Sequence, residues 1–382
     1  MDLAKYKGCL GHLAAKPDNA TREDQAGLTD EDRCYMGVLN PYQLDLVKLL
    51  GSKALARSED KTQVFISREN PYTRPRSRHT RDVKQVALAI ASVTNLHCDL
   101  TMAGALGHDI GHLPFGHHGE IAFTNISGKK ICHATVGVIV ARRIERRGVG
   151  LNLTNDTLQI ILNHSLGAGD FVSFDGLPEE TAVVMWADKI AYVFGDVNDF
   201  ARCLTESEPD LVCEICRRAN EFGQNQRARV AMCVEALVEE SEAKGRISFL
   251  QSECARKFDD FRKWLYEEAY FPAQGARSVV IDGLQRGYDL LATCEEFRDC
   301  DHLLLLALLT DKEARRLMDW LSIAVGFPSS RSQTSGLSRS IDTSRVSKSI
   351  SPILGARPIA FADHFRAPLW GALFNFKSRD KI

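Results

Sequence analysis

The chain has 382 residues and a mass of 42.5 kDa, which suits one large domain or two fused ones. Apolar residues make up 44% and charged residues 26%, enough core material to exclude disorder over most of the length. A net charge of −2 excludes nucleic-acid binding through overall electrostatics, and without a run of 18 apolar residues no membrane span is expected.

The first residues, MDLAKYKGCLGHLAAKPDN, lack the apolar stretch and cleavage site of a secretory signal. Eleven cysteines without framework spacing fit a reducing compartment, so a cytoplasmic protein is expected. Residues 61–67, KTQVFIS, are the best strand candidate and they are short. After His79 the run RDVKQVALAIASV places Val83, Val86, Ala87, Ile90 and Val93 on one helical face, with His79 at its core side. Alone, a histidine there is more often a satisfied core residue than a ligand.

LTMAGALGHDIGH is small and apolar, as in a buried helix, and ends on His108-Asp109. An ionisable pair at that place is costly unless matched, and a divalent cation or a core hydrogen bond would match it. The segment 142–147 carries Arg142, Arg143, Arg146 and Arg147. Their spacing fits a solvated helix face better than a nucleotide-effector or nucleic-acid patch. In EETAVVMWADKIAYVFGDVND, Val184, Asp188, Tyr192, Gly195 and Asp199 share one helical face, with Asp188 among apolar neighbours. A buried lone aspartate again asks for a cation. Cys213 and Cys216 form a CxxC with no second pair and no nearby histidine, and are read as incidental. From Asp210 to Phe327 the pattern is helical, with one proline, Pro272. Residues 329–382 carry nine Lys/Arg against three Asp/Glu, a charge of +6 that leaves −8 on the rest. Ten of the 23 residues from Ser329 to Ser351 are serine, so this stretch reads as a linker or long loop, followed by an apolar tail that docks.

Eight of the eleven histidines lie between His79 and His164, and histidine is the commonest metal ligand. His79, His108, Asp109 and Asp188 would make a mixed N/O site. It suits Mn²⁺, Fe²⁺, Co²⁺, Mg²⁺ or Zn²⁺ and leaves positions for water and a phosphate oxygen.

In order, these residues resemble the H…HD…D signature of the HD-domain metal-dependent phosphohydrolases. KTQVF at 61–65, RPRSRHT at 74–80, GHDIGHLPFGHHGE at 107–120, GLNLT at 150–154 and ADKIAY at 187–192 narrow the resemblance to the dGTPase-like deoxynucleotide triphosphohydrolases. It runs from about Tyr42 to Phe200. It implies an all-α HD fold with additional C-terminal helices and at most a short β-hairpin. Residues 1–60 are then an N-terminal helical segment, 61–205 the HD catalytic core, 206–328 a C-terminal helical region and 329–382 the linker and tail.

The resemblance further implies hydrolysis of a dNTP to deoxynucleoside and tripolyphosphate, with water attacking the α-phosphorus. It makes His79, His108, Asp109 and Asp188 the metal ligands, His117 the catalytic histidine and Glu120 the acid that orients it. His112 and His133 match active-site histidines near the phosphates, Arg76 and Lys189 phosphate-binding residues, and Gln63, Tyr192 and Asp196 residues around the sugar. The sequence leaves open a second metal held by His112 or His117. Partners expected are the dNTP substrate, an effector dNTP, weakly held single-stranded nucleic acid, and further copies of the chain in a tetramer or hexamer. The alternative is an HD hydrolase of another nucleotide, a nucleoside monophosphate or a guanosine alarmone, or a nucleotide-binding regulatory module.

Overall fold

The computed structural model describes residues 3–24, 28–65, 72–165, 174, 176–270, 277–293, 297 and 300–324. The serine-rich basic segment and the apolar tail, 329–382, lie outside the described residues. Among those described, the chain is all-α, with no sheet. Its helices are α1 (Asp30–Met36), α2 (Pro41–Leu50), α3 (Lys53–Arg57), α4 (Arg76–Thr94), α5 (Cys98–Gly107), α6 (His117–Ser127), α7 (His133–Ile139) and α8 (Asn155–Asn163). They continue as α9 (Glu179–Leu204), α10 (Pro209–Asn220), α11 (Gln226–Lys244), α12 (Glu253–Leu265), α13 (Arg277–Thr293), α14 (His302–Ala307) and α15 (Asp311–Ala324). The strand candidate forms no extended strand over Lys61–Phe65, and its residues 66 and 67 lie outside the described set. The reason is local. The Thr62 amide, a group a ladder would need, donates instead to an Asp311 carboxylate oxygen at 2.8 Å.

The residues fall into two compact units. Of the described residues, the first takes those within 3–59, 63–111 and 133–270, and the second those within 60–62, 112–132 and 277–324.

In the first unit α9 is the central helix, and α4 packs along both α9 and α5. Val83, Ala87 and Ile90 on α4 and Val183, Val184, Ala187, Ile190 and Phe194 on α9 are fully buried. Each large apolar side chain among them contributes about 1.5–3 kcal/mol through burial. Glu179 and Glu180 open α9 after Pro178, matching the positive end of the helix dipole. Asn95 ends α4 in the left-handed conformation, at φ 60°.

The small residues of α5 serve close approach. A Cβ on Gly104 would stand 2.4 Å from Ile160 Cγ2, so α5 lies tight on α8. A Cβ on Gly111 would stand 2.0 Å from the Gly137 amide nitrogen and 2.2 Å from the His133 carbonyl oxygen. Backbone meets backbone there, and only glycine lets the start of α7 sit against the turn that follows His108-Asp109. GLNLT is a fastening for α8. Thr154 caps the helix, its hydroxyl accepting from the Thr157 amide at 3.3 Å. Asp45 on α2 accepts from the Thr154 amide at 2.9 Å, from both threonine hydroxyls at 2.6 and 2.8 Å, and from Arg22 at 2.6 Å.

In the second unit α6 packs on α13, and α13 packs on α14 and α15.

Candidate active site

His79 lies in the first turn of α4, His108 at the C-cap of α5, Asp109 directly after it, and Asp188 inside α9. Packing of those three helices brings the four together. His79 Nε2 stands 2.9 Å from Asp188 Oδ1 and 3.7 Å from Asp109 Oδ2. His108 Nε2 stands 3.2 Å from Asp109 Oδ2 and 3.9 Å from Asp188 Oδ1. His79, His108 and Asp109 are buried, whereas the Asp188 side chain keeps 19% exposure and so offers the centre an open side. Arg76 donates to Asp109 Oδ2 at 2.5 Å.

The donors suit a divalent ion. Two donors about 2.1 Å from one ion, roughly 90–110° apart, are separated by about 3.0–3.4 Å. The shorter separations above are of that size. His108 Nε2 faces Asp109 Oδ2 at 3.2 Å inside the centre, while its Nδ1 meets the Ala105 carbonyl at 2.7 Å. That bond places a proton on Nδ1 and turns Nε2 inward, so a cation that displaces the Nε2 proton meets a ligand nitrogen there. Electrostatics agree. Burial pulls His108 down, but the charge and hydrogen bond of Asp109 and the charge of Asp188 outweigh it and push the imidazole up to about 9. Burial keeps His79 below the ordinary histidine value against the pull of Asp188. Burial alone would raise Asp188, yet His79 and His108 hold it well below the usual carboxylate range. The centre therefore favours positive charge between its two carboxylates, and a divalent cation supplies it most fully.

His112, His117 and Glu120 belong to the second unit. His117 begins α6, and its Nδ1 meets Glu120 Oε2 at 2.9 Å across one helical turn. The His117 side chain is 63% exposed, so it can exchange a proton with solvent. His112 is buried, with its ring centroid 5.7 Å from that of His117. The loop between them is unusual: Phe115 and Gly116 have φ of 63° and 59°. For phenylalanine this conformation costs about 1–2 kcal/mol. Asp311 holds it, accepting from the Phe115 amide at 2.9 Å as well as from the Thr62 amide and hydroxyl. Asp311→Ala should therefore loosen the loop that precedes His117 and lower turnover at least 10-fold. Melting should shift by on the order of 2 kcal/mol, with metal content unchanged by elemental analysis. Full turnover in that variant would show that the loop places nothing the reaction needs.

The remaining candidates lie in the first unit. Lys189 is buried, and burial lowers its ammonium against the pull of Asp188. Gln63 buries an Oε1 that has no hydrogen-bond partner. Tyr192 meets Tyr266 edge-on at 6.5 Å, and burial pushes its hydroxyl well up. Asp196 is taken by Arg74 and by the Tyr270 hydroxyl. Burial pushes it up to about 7, with Arg74 pulling the other way. Arg74 also donates to Asp199 at 2.8 Å and Asp82 at 3.0 Å, so one guanidinium serves three carboxylates. His133 is buried, with Nε2 3.2 Å from His164 Nε2 and 3.8 Å from Asp109 Oδ1.

The sequence reading gave no individual role to Asp311, to Arg74 in RPRSRHT or to His164 in the histidine cluster. A Thr-Asp pair before a basic amphipathic helix was the signal for Asp311, and a histidine closing an apolar helix the signal for His164. Of the arginines at 142–147, Arg143 pairs with Glu23 at 2.8 Å and Arg146 with Asp32 at 3.0 Å. They share no regular α-helical face, because α7 gives way to a π-helical turn over Val140–Ile144, and Arg146 and Arg147 have positive φ. Cys213 and Cys216 belong to no candidate metal group among the described residues.

Comparison with known proteins agrees with this geometry. The HD domain family model matches residues 76–193. A deoxyguanosinetriphosphate triphosphohydrolase-like protein of Caldanaerobacter subterraneus subsp. tengcongensis is 34% identical over 275 residues, 72% of this chain and 76% of the relative. Proteins of the same description from Clostridium perfringens and Clostridium tetani are 34% and 28% identical, over 68% and 71% of this chain and 74% and 77% of the relatives. No described helix is long and apolar enough to cross a membrane. With an HD domain, an all-α fold and a buried His/Asp group able to hold a metal, the chain belongs to the deoxyguanosinetriphosphate triphosphohydrolase-like family of metal-dependent nucleotide phosphohydrolases.

Proposed function

We propose that the chain hydrolyses deoxynucleoside triphosphates, dGTP or several dNTPs, to deoxynucleoside and tripolyphosphate through attack of water on the α-phosphorus. The observation that carries this reading is the convergence of buried His79, His108 and Asp109 with the partly open Asp188, and Arg76 on Asp109, in a chain of this family. These four residues would hold a divalent ion, which when bound supplies Lewis-acid polarisation of the α-phosphate. Arg76 and Lys189 are assigned to the negative charge of the triphosphate, as cations already seated beside the carboxylates. Gln63, Tyr192 and Asp196 are assigned to the sugar. Arg74 and Tyr270 fix the Asp196 carboxylate, whose oxygens each keep a second lone pair for a hydroxyl. A ring beneath the sugar leaves little space for a 2′-hydroxyl, which favours deoxyribose. His117 is assigned as the proton donor to the leaving 5′ oxygen, with Glu120 fixing its tautomer and His112 and His133 beside the phosphates. An effector dNTP and a homo-oligomeric assembly complete the proposal.

The test is where the bond breaks. With each dNTP singly and in mixtures, the products expected are deoxynucleoside and intact tripolyphosphate, without dNMP or dNDP. In ¹⁸O-labelled water the label should enter tripolyphosphate and stay out of the nucleoside. Label in a dNMP, with pyrophosphate released, would overturn the proposed orientation and indicate a pyrophosphohydrolase.

A further inference from the structure

Cys233 on α11 and Cys254 on α12 set their Sγ atoms 3.9 Å apart inside the first unit. Cys233 is fully buried, and Cys254 keeps 8% exposure, a narrow opening to solvent. We propose that Cys233 and Cys254 are an oxidisable thiol pair, which hydrogen peroxide converts to a disulfide that shifts α12 against Tyr192 and Asp196.

Placement comes first. Cys233, Leu237 and Ser241 recur every four residues along α11, so they share one face, and all three are fully buried. The connection from α11 to α12 is clamped by Glu240. Its carboxylate accepts from the Ser248 hydroxyl at 2.7 Å and from the Leu250, Gln251 and Ser252 amides at 2.7, 3.0 and 2.9 Å. Ser252 then caps α12, its hydroxyl accepting from the Ala255 amide at 3.1 Å. Cys254 therefore enters as the second residue of α12 with its sulfur already against Cys233. Two buried cysteines can also pack as small apolar groups. A disulfide demands more, because a bond of about 2 Å draws the sulfurs together by roughly another 2 Å.

The two sulfurs are also unequal. Peroxide is attacked by a thiolate, not by a thiol. The hydrogen bond with Cys233, helped by the charge of Lys257, holds the Cys254 thiol below its ordinary value against the effect of burial. The free amides in the first turn of α12 favour negative charge at the same place. Burial pushes the Cys233 thiol well up. Cys254 is thus the attacking sulfur and Cys233 the resolving one. The Cys254 thiolate takes one oxygen of the peroxide, and the other leaves as water once protonated. The Cys233 sulfur then displaces hydroxide from the resulting sulfenic acid and gives up its own proton. Two thiols and one peroxide yield one disulfide and two waters. The narrow opening at Cys254 admits an oxidant of this size and excludes a bulky peptide disulfide.

The helix carries the consequence. Phe258, one turn after Cys254, packs on Phe194 of α9 at 5.8 Å and on Phe249 at 5.7 Å. After α12 the chain makes a π-helical turn over Tyr266–Tyr270. There Tyr266 meets Tyr192 edge-on at 6.5 Å, and the Tyr270 hydroxyl donates to Asp196. Close-packed helices move as units, so drawing the start of α12 onto α11 displaces both tyrosines from the residues assigned to the sugar. In a reducing compartment a disulfide of this kind is transient and sensing.

The effect on the sugar residues rests on the dNTP reading, and the test keeps the two apart. Full-length protein is treated with hydrogen peroxide, free thiols are alkylated, and peptides are mapped by mass spectrometry without reduction. Wild type should yield the peptides of Cys233 and Cys254 joined by a disulfide, which a dithiol separates. Cys233→Ala should instead leave a sulfenic acid at Cys254 that dimedone traps, and Cys254→Ala should leave Cys233 a thiol. Oxidised wild type should bind a non-hydrolysable dNTP analogue roughly 5-fold or more weakly, and the dithiol should restore binding. Hydrogen exchange over residues 253–270 should change with oxidation and return with reduction. Alkylated thiols at both Cys233 and Cys254, with the exposed Cys34 and Cys213 oxidised, overturn the proposal. A disulfide that leaves analogue binding and exchange unchanged overturns the shift of α12. Reduced protein that neither binds the analogue nor turns over any dNTP overturns the dNTP reading, and the peptide map and exchange then decide the thiol pair. Should a variant fail to fold, the wild-type map decides alone.

Discussion

Asp109→Ala should remove bound metal altogether and lower dNTP turnover roughly 1000-fold or more, several kcal/mol of lost electrostatic stabilisation. The expectation follows from geometry. Asp109 Oδ2 lies 3.7 Å from His79 Nε2 and 3.2 Å from His108 Nε2, and its Oδ1 lies 3.8 Å from His133 Nε2, so the carboxylate sits among three imidazoles. Its removal also takes a buried carboxylate from Arg76, which is itself buried and donates to it at 2.5 Å. Breaking a buried pair in this way costs about 3–5 kcal/mol, so the variant should melt earlier as well. Asp109→Asn separates these effects. It keeps the shape and one acceptor for Arg76 but removes the charge that the cation needs. Elemental analysis and a thermal melt on both variants check the account. Stoichiometric metal in either variant would sink the ligand assignment, and an unfolded Asp109→Ala with a folded, metal-free Asp109→Asn would support it.

The four candidate metal ligands were legible in the sequence because each lies in a local pattern. A period of three to four residues marked α4 and α9, and a run of small residues marked α5 as a buried helix. Each of His79, His108 and Asp188 sits where such a pattern gives an ionisable residue a place at the core. Two helices were enough to make Asp188 and His79 neighbours. His164 depends on more. Its partner His133 is 31 residues away, and they meet only because Gly104 and Gly111 let α5, α7 and α8 approach to backbone distance. Asp311 lies 249 residues from Thr62, a separation at which no helical or strand period applies. Asp196 shows the same limit from the other side. Spacing puts it on the face of Asp188, but not the guanidinium of Arg74, which arrives from just before α4. The second unit joins 112–132 to the C-terminal helices across an intervening unit, an arrangement that composition shifts along the chain do not mark.

His117→Ala should leave metal content and thermal stability as they are while turnover falls roughly 100- to 10,000-fold, the range for a positioned acid or base. Stability should hold because the side chain is 63% exposed and closes no core. Metal content should hold because no candidate metal group among the described residues includes His117. What is lost is a proton at the leaving oxygen. A 5′ alkoxide is a poor leaving group, so the barrier rises unless a donor protonates it as the P–O bond breaks. The Glu120 carboxylate, 2.9 Å from His117 Nδ1, accepts the Nδ1 proton and aims Nε2 outward. Glu120→Gln keeps an acceptor for that bond but loses the charge that raises the basicity of the ring. Its loss should be in the same direction and smaller, about 10-fold. The order of the two effects is the discriminating result. A Glu120 variant as impaired as His117→Ala would make the carboxylate itself the acid. Normal turnover in His117→Ala would move the search for the donor to His112, which shares the loop held by Asp311 and faces His117 at 5.7 Å.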